Sequence, residues 1–437
     1  MILGYDVRGL YKKEVNESLA YEIGLALSKL GKGDKITVGY DSRTSSTSLH
    51  NSLVNGLVDG GCNVITIGMV PNPVCYFYTF HKKMDCGVYI TASHLPAEYN
   101  GFKFIRKDGT SFTEELSRIK QILDQGDLRK SERSGKHEID VLAEREYVEY
   151  LYPKFQVLGK PVVVVDCMYG ASSNLAPRLL EKVGCKVVAL RAKALGDFNK
   201  IRPEPLPDNL SLLQEEVVKN KALFGVAYDG DADRAIFVDE NGNFVYGDKS
   251  LAIMAGFKVE KKRGKVVTPV STSSCVEEYV KAKGGEIVYT KVGAPIVARK
   301  MLEINAVFGG EENGGLIFPE HQFCRDGGMA TMAMLELLAI KNKKLSELVE
   351  KVPKYYLIKT KVKCNNKKEV MEKLKEKIDA KKFDFTDGIK AFFDNGWVLI
   401  RPSGTEPIIR IYAEGKSQKD AEKIAEKYKK MVEKVAK

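Results

Sequence analysis

The stretch KPVVVVDCMYGASSNLAPRLLEKVGCKVVAL, residues 160–190, reads as strand, loop, helix, strand. An unbroken β-branched run followed by a polar loop and an amphipathic segment is the unit from which α/β domains are built. The same plan appears upstream, where KITVGYDSR (35–43) leads into the helical periodicity and glycine stop of SSTSLHNSLVNGLVDGG (45–61). It appears again downstream in GKVVTPVSTSSCVEEYVKAKGGEIVYTKVG (264–293). These units are too widely and unevenly spaced for a solenoid, and they imply three α/β domains of similar plan. The last stretch differs. YYLIKTKVKC (355–364), a helix, the turn-punctuated IKAFFDNGWVLIRPSGTEPIIRIYAEGK (389–416) and a final amphipathic helix make a smaller α+β module. The linker EKVPKYY (350–356) supplies its boundary. The domains are therefore expected at 1–138, 139–241, 242–349 and 350–437.

Composition excludes several classes. A chain of 437 residues, 44% apolar and 29% charged, has the profile of a soluble globular protein with more than one core. No apolar run approaches the length of a membrane span. The opening MILGYDVRG lacks a basic region followed by a long apolar stretch, so a cytoplasmic location is expected. The eight cysteines form no C-x-x-C pair and fall in strand-like contexts, reading as buried thiols. The net charge of +11 could suit nucleic acid or an acidic small substrate. Most lysines, however, alternate with glutamates, as in EKLKEKIDAKK (372–382), which is the pattern of solvated helix faces.

Four polar loops carry the chemistry. In TASHLP (91–96), Ser93 and His94 follow the apolar CGVYI, at the C-terminal end of a strand, where ligands gather in α/β proteins. No G-x-S-x-G elbow surrounds Ser93, so a hydrolase triad is not indicated; by itself the pair also suits a hydrogen-bonded turn. In YDGDADRAIFVDENGN (228–243), a turn at Gly230 would bring Asp229, Asp231 and Asp233 onto one hard cation, without which the three would repel one another. The spacing imitates a calcium loop with Glu240 in twelfth place, but Arg234 occupies the position that needs glycine and the flanks read as strands. A Mg²⁺ loop is the better reading. In FGGEENGG (308–315), acidic groups between glycine pairs are either solvated or acceptors for sugar hydroxyls. In RPSGTEPIIR (401–410), Arg401, Ser403, Gly404, Thr405 and Arg410 combine guanidinium forks, hydroxyls and exposed amides, as a phosphate site or as a plain hairpin turn.

In this order the motifs GYDVRG, TASHLPAEYNGFK, DGDADR, GEENGG and RPSGTEP resemble those of the α-D-phosphohexomutases, along essentially the whole chain. The opening GYDVRG is similar to the phosphomannomutase/phosphoglucomutase branch, with a phosphoglucosamine mutase as the alternative. A non-catalytic phosphate- or metal-binding protein is the alternative of a different class. The resemblance implies three α/β domains with mixed sheets and a smaller C-terminal α+β domain around a central cleft. It implies an isomerase, an intramolecular phosphotransferase, that works through a phosphoserine at Ser93 and a bisphosphorylated sugar. One Mg²⁺ would be held by Asp229, Asp231, Asp233 and the phosphoseryl oxygen of Ser93. His94 and Lys103 match positions near the reacting hydroxyl, with Lys103 transferring the proton at a pKa that Arg8 or Arg234 would have to lower, and Arg8 and Arg234 would otherwise steady the phosphoryl group. Glu311 and Asn313 would read the sugar, and Arg401, Ser403, Gly404, Thr405 and Arg410 its phosphate. The implied partners are small sugar phosphates, with no nucleic acid and no membrane. Leu95, Ala232, Asn313 and Gly315 depart from the family's usual asparagine, glycine, serine and histidine, and the last two leave the sugar open.

Overall fold

The computed structural model describes residues 2–3, 5–30, 35–157, 159–404 and 406–436. Thr405, one of the expected phosphate contacts, lies outside the described residues. The chain forms two compact units, one of Met1–Ser250 with Asn313–Val349, the other of Leu251–Glu312 with Glu350–Lys437.

The first unit contains two mixed sheets. One has seven strands, in the order Ile2–Leu3, Asp6–Leu10, Tyr99–Arg106, Cys86–Ile90, Lys35–Tyr40, Asn63–Met69, His137–Ile139. Its last four strands run parallel, and Tyr99–Arg106 returns antiparallel beside Cys86–Ile90. That return sets Lys103 directly opposite Tyr89, and Arg8 opposite Gly101. The second sheet runs Phe244–Val245, Ala235–Val238, Phe224–Tyr228, Val162–Asp166, Lys186–Leu190. The strands Cys86–Ile90 and Phe224–Tyr228 are buried at every residue, as expected of strands covered on both faces. The Ser93 loop leaves the C-terminal end of the first, and the three aspartates leave the C-terminal end of the second. The hairpin of Leu316–Phe318 and Gln322–Arg325 also belongs to this unit.

In the second unit, Glu286–Thr290, Lys265–Pro269 and Phe308–Gly310 run parallel. A separate five-stranded antiparallel sheet runs Tyr356–Lys363, Ile408–Gly415, Gly396–Pro402, Ile389–Phe393, Lys382–Asp384. It is covered by the helix Gln418–Ala436, whose Ile424, Ala425, Tyr428 and Val432 pack into the core built on Val398, Ile400, Ile409 and Ile411. All eight cysteines are buried free thiols. No helix among the described residues is long and apolar enough to cross a membrane.

Candidate active site

Ser93 has a φ of 53°, a left-handed conformation that a non-glycine residue adopts only when its surroundings enforce it. Its amide donates to Thr91 Oγ1 at 2.7 Å and its hydroxyl donates to Asp229 Oδ2 at 2.9 Å. The metal loop lies against it so closely that a Cβ on Gly230 would stand 2.6 Å from the Ser93 carbonyl oxygen. Gly230 is thus required by close approach. The left-handed bend of the loop falls instead at Ala232, with φ 59°. That is the position at which the family more often has a second glycine.

The three aspartates converge as the spacing implied. Asp229, Asp231 and Asp233 are buried, and ligand oxygens from all three lie within 4.8 Å of one another. Among the described residues, Asp231 Oδ1 and Asp233 Oδ1 are buried with no hydrogen-bond partner. Orphaned carboxylate oxygens held together in a buried site fit a hard divalent cation. Burial, and then the neighbouring Asp231 and Asp233, push Asp229 well above the usual carboxylate range. Asp233 goes the other way: burial works against its charge, but Arg325, Lys103 and Arg234 hold its carboxyl below that range.

Lys103 reaches the same cluster, donating to Asp231 Oδ2 at 2.6 Å and Asp233 Oδ2 at 3.0 Å. Burial alone would lower its pKa, yet the two aspartates outweigh burial and raise it. The lowered value expected from Arg8 or Arg234 is not what this arrangement produces, because both carboxylates are in direct contact and outweigh the lowering by Arg325 and Arg8. His94 Nδ1 is 3.4 Å from Ser93 Oγ, and its pKa is well below the ordinary value through burial and the nearby Arg234 and Arg8. Both effects favour the neutral imidazole. Arg8 pairs with Asp6 at 2.7 Å, and Arg234 is 3.7 Å from Asp229. The Nε of each is buried without a hydrogen-bond acceptor among the described residues. The same pocket therefore holds spare buried donors as well as spare buried acceptors, a combination that suits an anion bound beside a cation.

The acidic glycine loop divides its roles. Glu311 is buried. Glu312 pairs with Lys359 at 3.0 Å and accepts from Ser271. Asn313 Oδ1 accepts from Gly315 N at 3.1 Å, forming a local turn that uses its acceptor.

In the second unit, Arg401 and Arg410 sit directly opposite each other on neighbouring strands, and Lys361 is opposite Arg410 on the next. Paired residues share a sheet face, so three cations form a row, which is unfavourable by itself. Carboxylates partly offset it. Arg401 Nε donates to Asp387 Oδ2 at 2.8 Å and Arg410 Nη2 to Glu406 Oε2 at 2.6 Å. The turn between them is shaped from behind by Lys367, whose ammonium donates to the carbonyls of Ser403 at 2.5 Å and Glu406 at 2.9 Å. Ser403 Oγ accepts from Glu406 N, and Gly404 has open space around it.

With this geometry, the comparison with known proteins is decisive. The descriptions of the phosphoglucomutase/phosphomannomutase alpha/beta/alpha domains I, II and III match residues 3–130, 145–242 and 246–356, and that of the C-terminal domain matches 357–431. The chain belongs to the phosphoglucomutase/phosphomannomutase family. It is 41% identical to a phosphoglucomutase/phosphomannomutase of Thermococcus kodakarensis, over 99% of this chain and 98% of that one. It is 39% identical to a probable phosphoglucosamine mutase of Methanosarcina acetivorans, over 99% and 97%. Among solved structures it is similar to a phosphoglucomutase/phosphomannomutase family protein of Burkholderia thailandensis, with a TM-score of 0.91, 27% identity, and 99% and 97% coverage. Like other phosphohexomutases of the family, it is an isomerase. Its third family domain, 246–356, is shared between the two compact units.

Several residues in contact with these loops escape a reading of sequence alone. Arg325 donates to Asp233 Oδ2 at 2.6 Å, and Asn72 Nδ2 to the same oxygen at 3.4 Å. Glu204 lies 3.9 Å from His94 and 3.7 Å from Arg234. Their separation along the chain from the loops they serve leaves no local signal. Arg43 had one, since it closes an Asp-x-Arg at the C-terminal end of a strand, where site residues collect.

Proposed function

We propose that this phosphohexomutase interconverts hexose 1-phosphate and hexose 6-phosphate, with mannose and glucose phosphates as substrates. The observation that carries the reading is Ser93 Oγ, held 2.9 Å from Asp229 beside orphaned buried acceptors and donors. The expected four-part division at residues 138, 241 and 349 and a cytoplasmic location belong to the same proposal.

Ser93 is the group that carries the phosphoryl. In the first transfer the Ser93 Oγ–P bond breaks while the free sugar hydroxyl forms an O–P bond, giving a bisphosphorylated sugar. The hydroxyl proton leaves and Ser93 Oγ regains one; Lys103 is the candidate carrier, and to accept the proton it must first be released from Asp231 and Asp233, which raise its pKa. His94 stands beside Ser93 Oγ. After the sugar turns over, Ser93 takes back the other phosphoryl group by the reverse exchange. Arg8 and Arg234 direct their unused donors at the transferring group. Asp229, Asp231 and Asp233 would hold Mg²⁺ together with a phosphoseryl oxygen, and the ion would supply charge neutralisation on the transferring oxygens. Arg401, Ser403, Gly404, Thr405 and Arg410 bind the phosphate that is not reacting, which orients the sugar.

Because the sugar is bound in two opposite orientations, groups that nearly interchange on the flip are the ones read, namely the C3 and C4 hydroxyls, by Glu311 and Asn313. C2, where mannose and glucose differ, is then weakly read. Coupled assays on one preparation should give kcat/KM for mannose 1-phosphate and glucose 1-phosphate within about a hundredfold. Glu311→Ala should impair both alike. A larger ratio, or a variant that spares one sugar, overturns this account. A phosphoglucosamine mutase is the second reading, suggested by the 39% identical relative. Glucosamine 6-phosphate turned over much faster than either neutral hexose phosphate would establish it.

A further inference from the structure

Arg43 stands fifty residues before the nucleophile, and its side chain is fully buried. A guanidinium has five N–H donors, and here each has a partner. Nε donates to Asp41 Oδ2 at 3.0 Å. Nη1 donates to the carbonyls of Pro96 at 2.6 Å and Tyr99 at 2.9 Å. Nη2 donates to those of Ser93 at 2.8 Å and Leu95 at 2.7 Å. The plane of the group lies over the Phe198 ring, 4.9 Å from its centroid. Four of the five donors thus end on one short loop, residues 93–99, and turn its carbonyls inward.

Asp41 fixes the arginine in turn. It accepts from the Arg43 amide at 3.0 Å, from Ser46 Oγ at 2.7 Å and from Thr91 Oγ1 at 2.7 Å. Thr91 Oγ1 accepts the Ser93 amide, so the Ser93 peptide is held from both sides, its N–H through Thr91 and its C=O through Arg43. Between those two anchors lies the left-handed φ of 53°. A generic buried ion pair would stabilise the sheet wherever it stood. This one spends its hydrogen bonds on the backbone that aims a single hydroxyl.

We propose that Arg43, set by Asp41, is a positioning residue for phosphoryl transfer at Ser93: it holds the loop so that Oγ stays aligned with the aspartate cluster. The proposal rests on the assignment of Ser93 as phosphoryl carrier. A lysine at this position keeps the charge but concentrates its donors on one atom and cannot span four carbonyls. Misplacement of a reacting atom by about 1 Å costs on the order of a hundredfold in rate.

The test compares Arg43→Lys with wild type in the full chain, using glucose 1-phosphate and following kcat, KM and the melting transition. The expected result is a folded variant whose kcat falls by about a hundredfold while KM stays within about threefold. Arg106→Lys serves as control, since it weakens a half-buried ion pair with Glu115 in the same sheet but away from the loop; its kcat should match wild type within about twofold. A folded Arg43→Lys with unchanged kcat, or one whose loss is all in KM, overturns the proposal. If Arg43→Lys does not fold, Thr91→Val removes the anchor on the Ser93 amide together with one of the bonds that Asp41 accepts, and leaves the Arg43 contacts in place. A kcat drop of about tenfold at constant KM supports the clamp, and full activity overturns it. A wild-type protein inactive on every sugar phosphate would overturn the functional reading itself; an active wild type with a full-speed Arg43→Lys would overturn this inference alone.

Discussion

The Ser93–aspartate region and the Arg401–Arg410 turn, both assigned to phosphate in the proposed function, are built in opposite ways. Around Ser93 the backbone is held by buried anchors, the three aspartates and Lys103 are buried, and the polar atoms left over are those that a cation and an anion would satisfy. Around Arg401 and Arg410 both arginines already lean on carboxylates, Asp387 and Glu406, and Arg410 is the more exposed of the two. The first region is prepared for bond making, where reorganisation during the reaction would be costly. The second, under the same proposal, would serve exchange, a phosphate replacing a carboxylate and later leaving.

Four experiments would break or sharpen that contrast. The largest effect is expected for Ser93→Ala, which should abolish sustained turnover, on the order of 10⁴-fold or more, while leaving the melting transition in place. Intact-mass measurement of the wild type should show a fraction heavier by one phosphoryl group, absent in the variant. Near-normal activity would end the covalent scheme.

Next comes the cation. Excess chelator should reduce activity by at least about a hundredfold and Mg²⁺ should restore it. Asp231→Asn should raise the Mg²⁺ concentration needed, and Ca²⁺ should substitute poorly because it accepts looser coordination. Undiminished turnover in chelator would mean that the orphaned oxygens serve something else.

A smaller and different effect is expected in the exchange region. Arg401→Ala should raise KM by roughly tenfold to a hundredfold, with a lesser change in kcat, since a fork that grips the remote phosphate acts mainly in binding. A loss confined to kcat would place Arg401 with the rigid region and dissolve the contrast. The smallest effect tests the rigid region's own strain. Ala232→Gly should relieve a left-handed residue and leave stability unchanged or raised by about 1 kcal/mol, as read by the denaturation midpoint. Clear destabilisation would show that the methyl group is needed by its neighbours.

Much of this was written in local sequence. The alternation of apolar runs and helical segments gave the mixed-sheet architecture, because strand and helix periods differ and the strands are buried. The aspartate triplet was legible because three carboxylates in five residues have few uses other than a cation site. What stayed hidden depends on contacts between distant segments. Nothing near Lys103 announces that Asp231 and Asp233 will touch it, so the direction of its pKa could not be read. Arg325, brought to Asp233 by the hairpin Leu316–Arg325, is likewise a matter of topology. Nor does the sequence mark that Asn313–Val349 returns to the unit formed by the N-terminal half.

The row Lys361, Arg410 and Arg401 across three neighbouring strands has one further consequence. Repulsion built into a folded sheet is relieved by any anion that settles on it, so the folded state is linked to the concentration of such anions. A ligand present at a hundred times its dissociation constant adds about 2.7 kcal/mol to stability. The choice of buffer is then part of the thermodynamic state: a melting temperature recorded in phosphate reports folding plus ligation, and one recorded in a dilute zwitterionic buffer reports folding against the repulsion that Asp387 and Glu406 leave in the row.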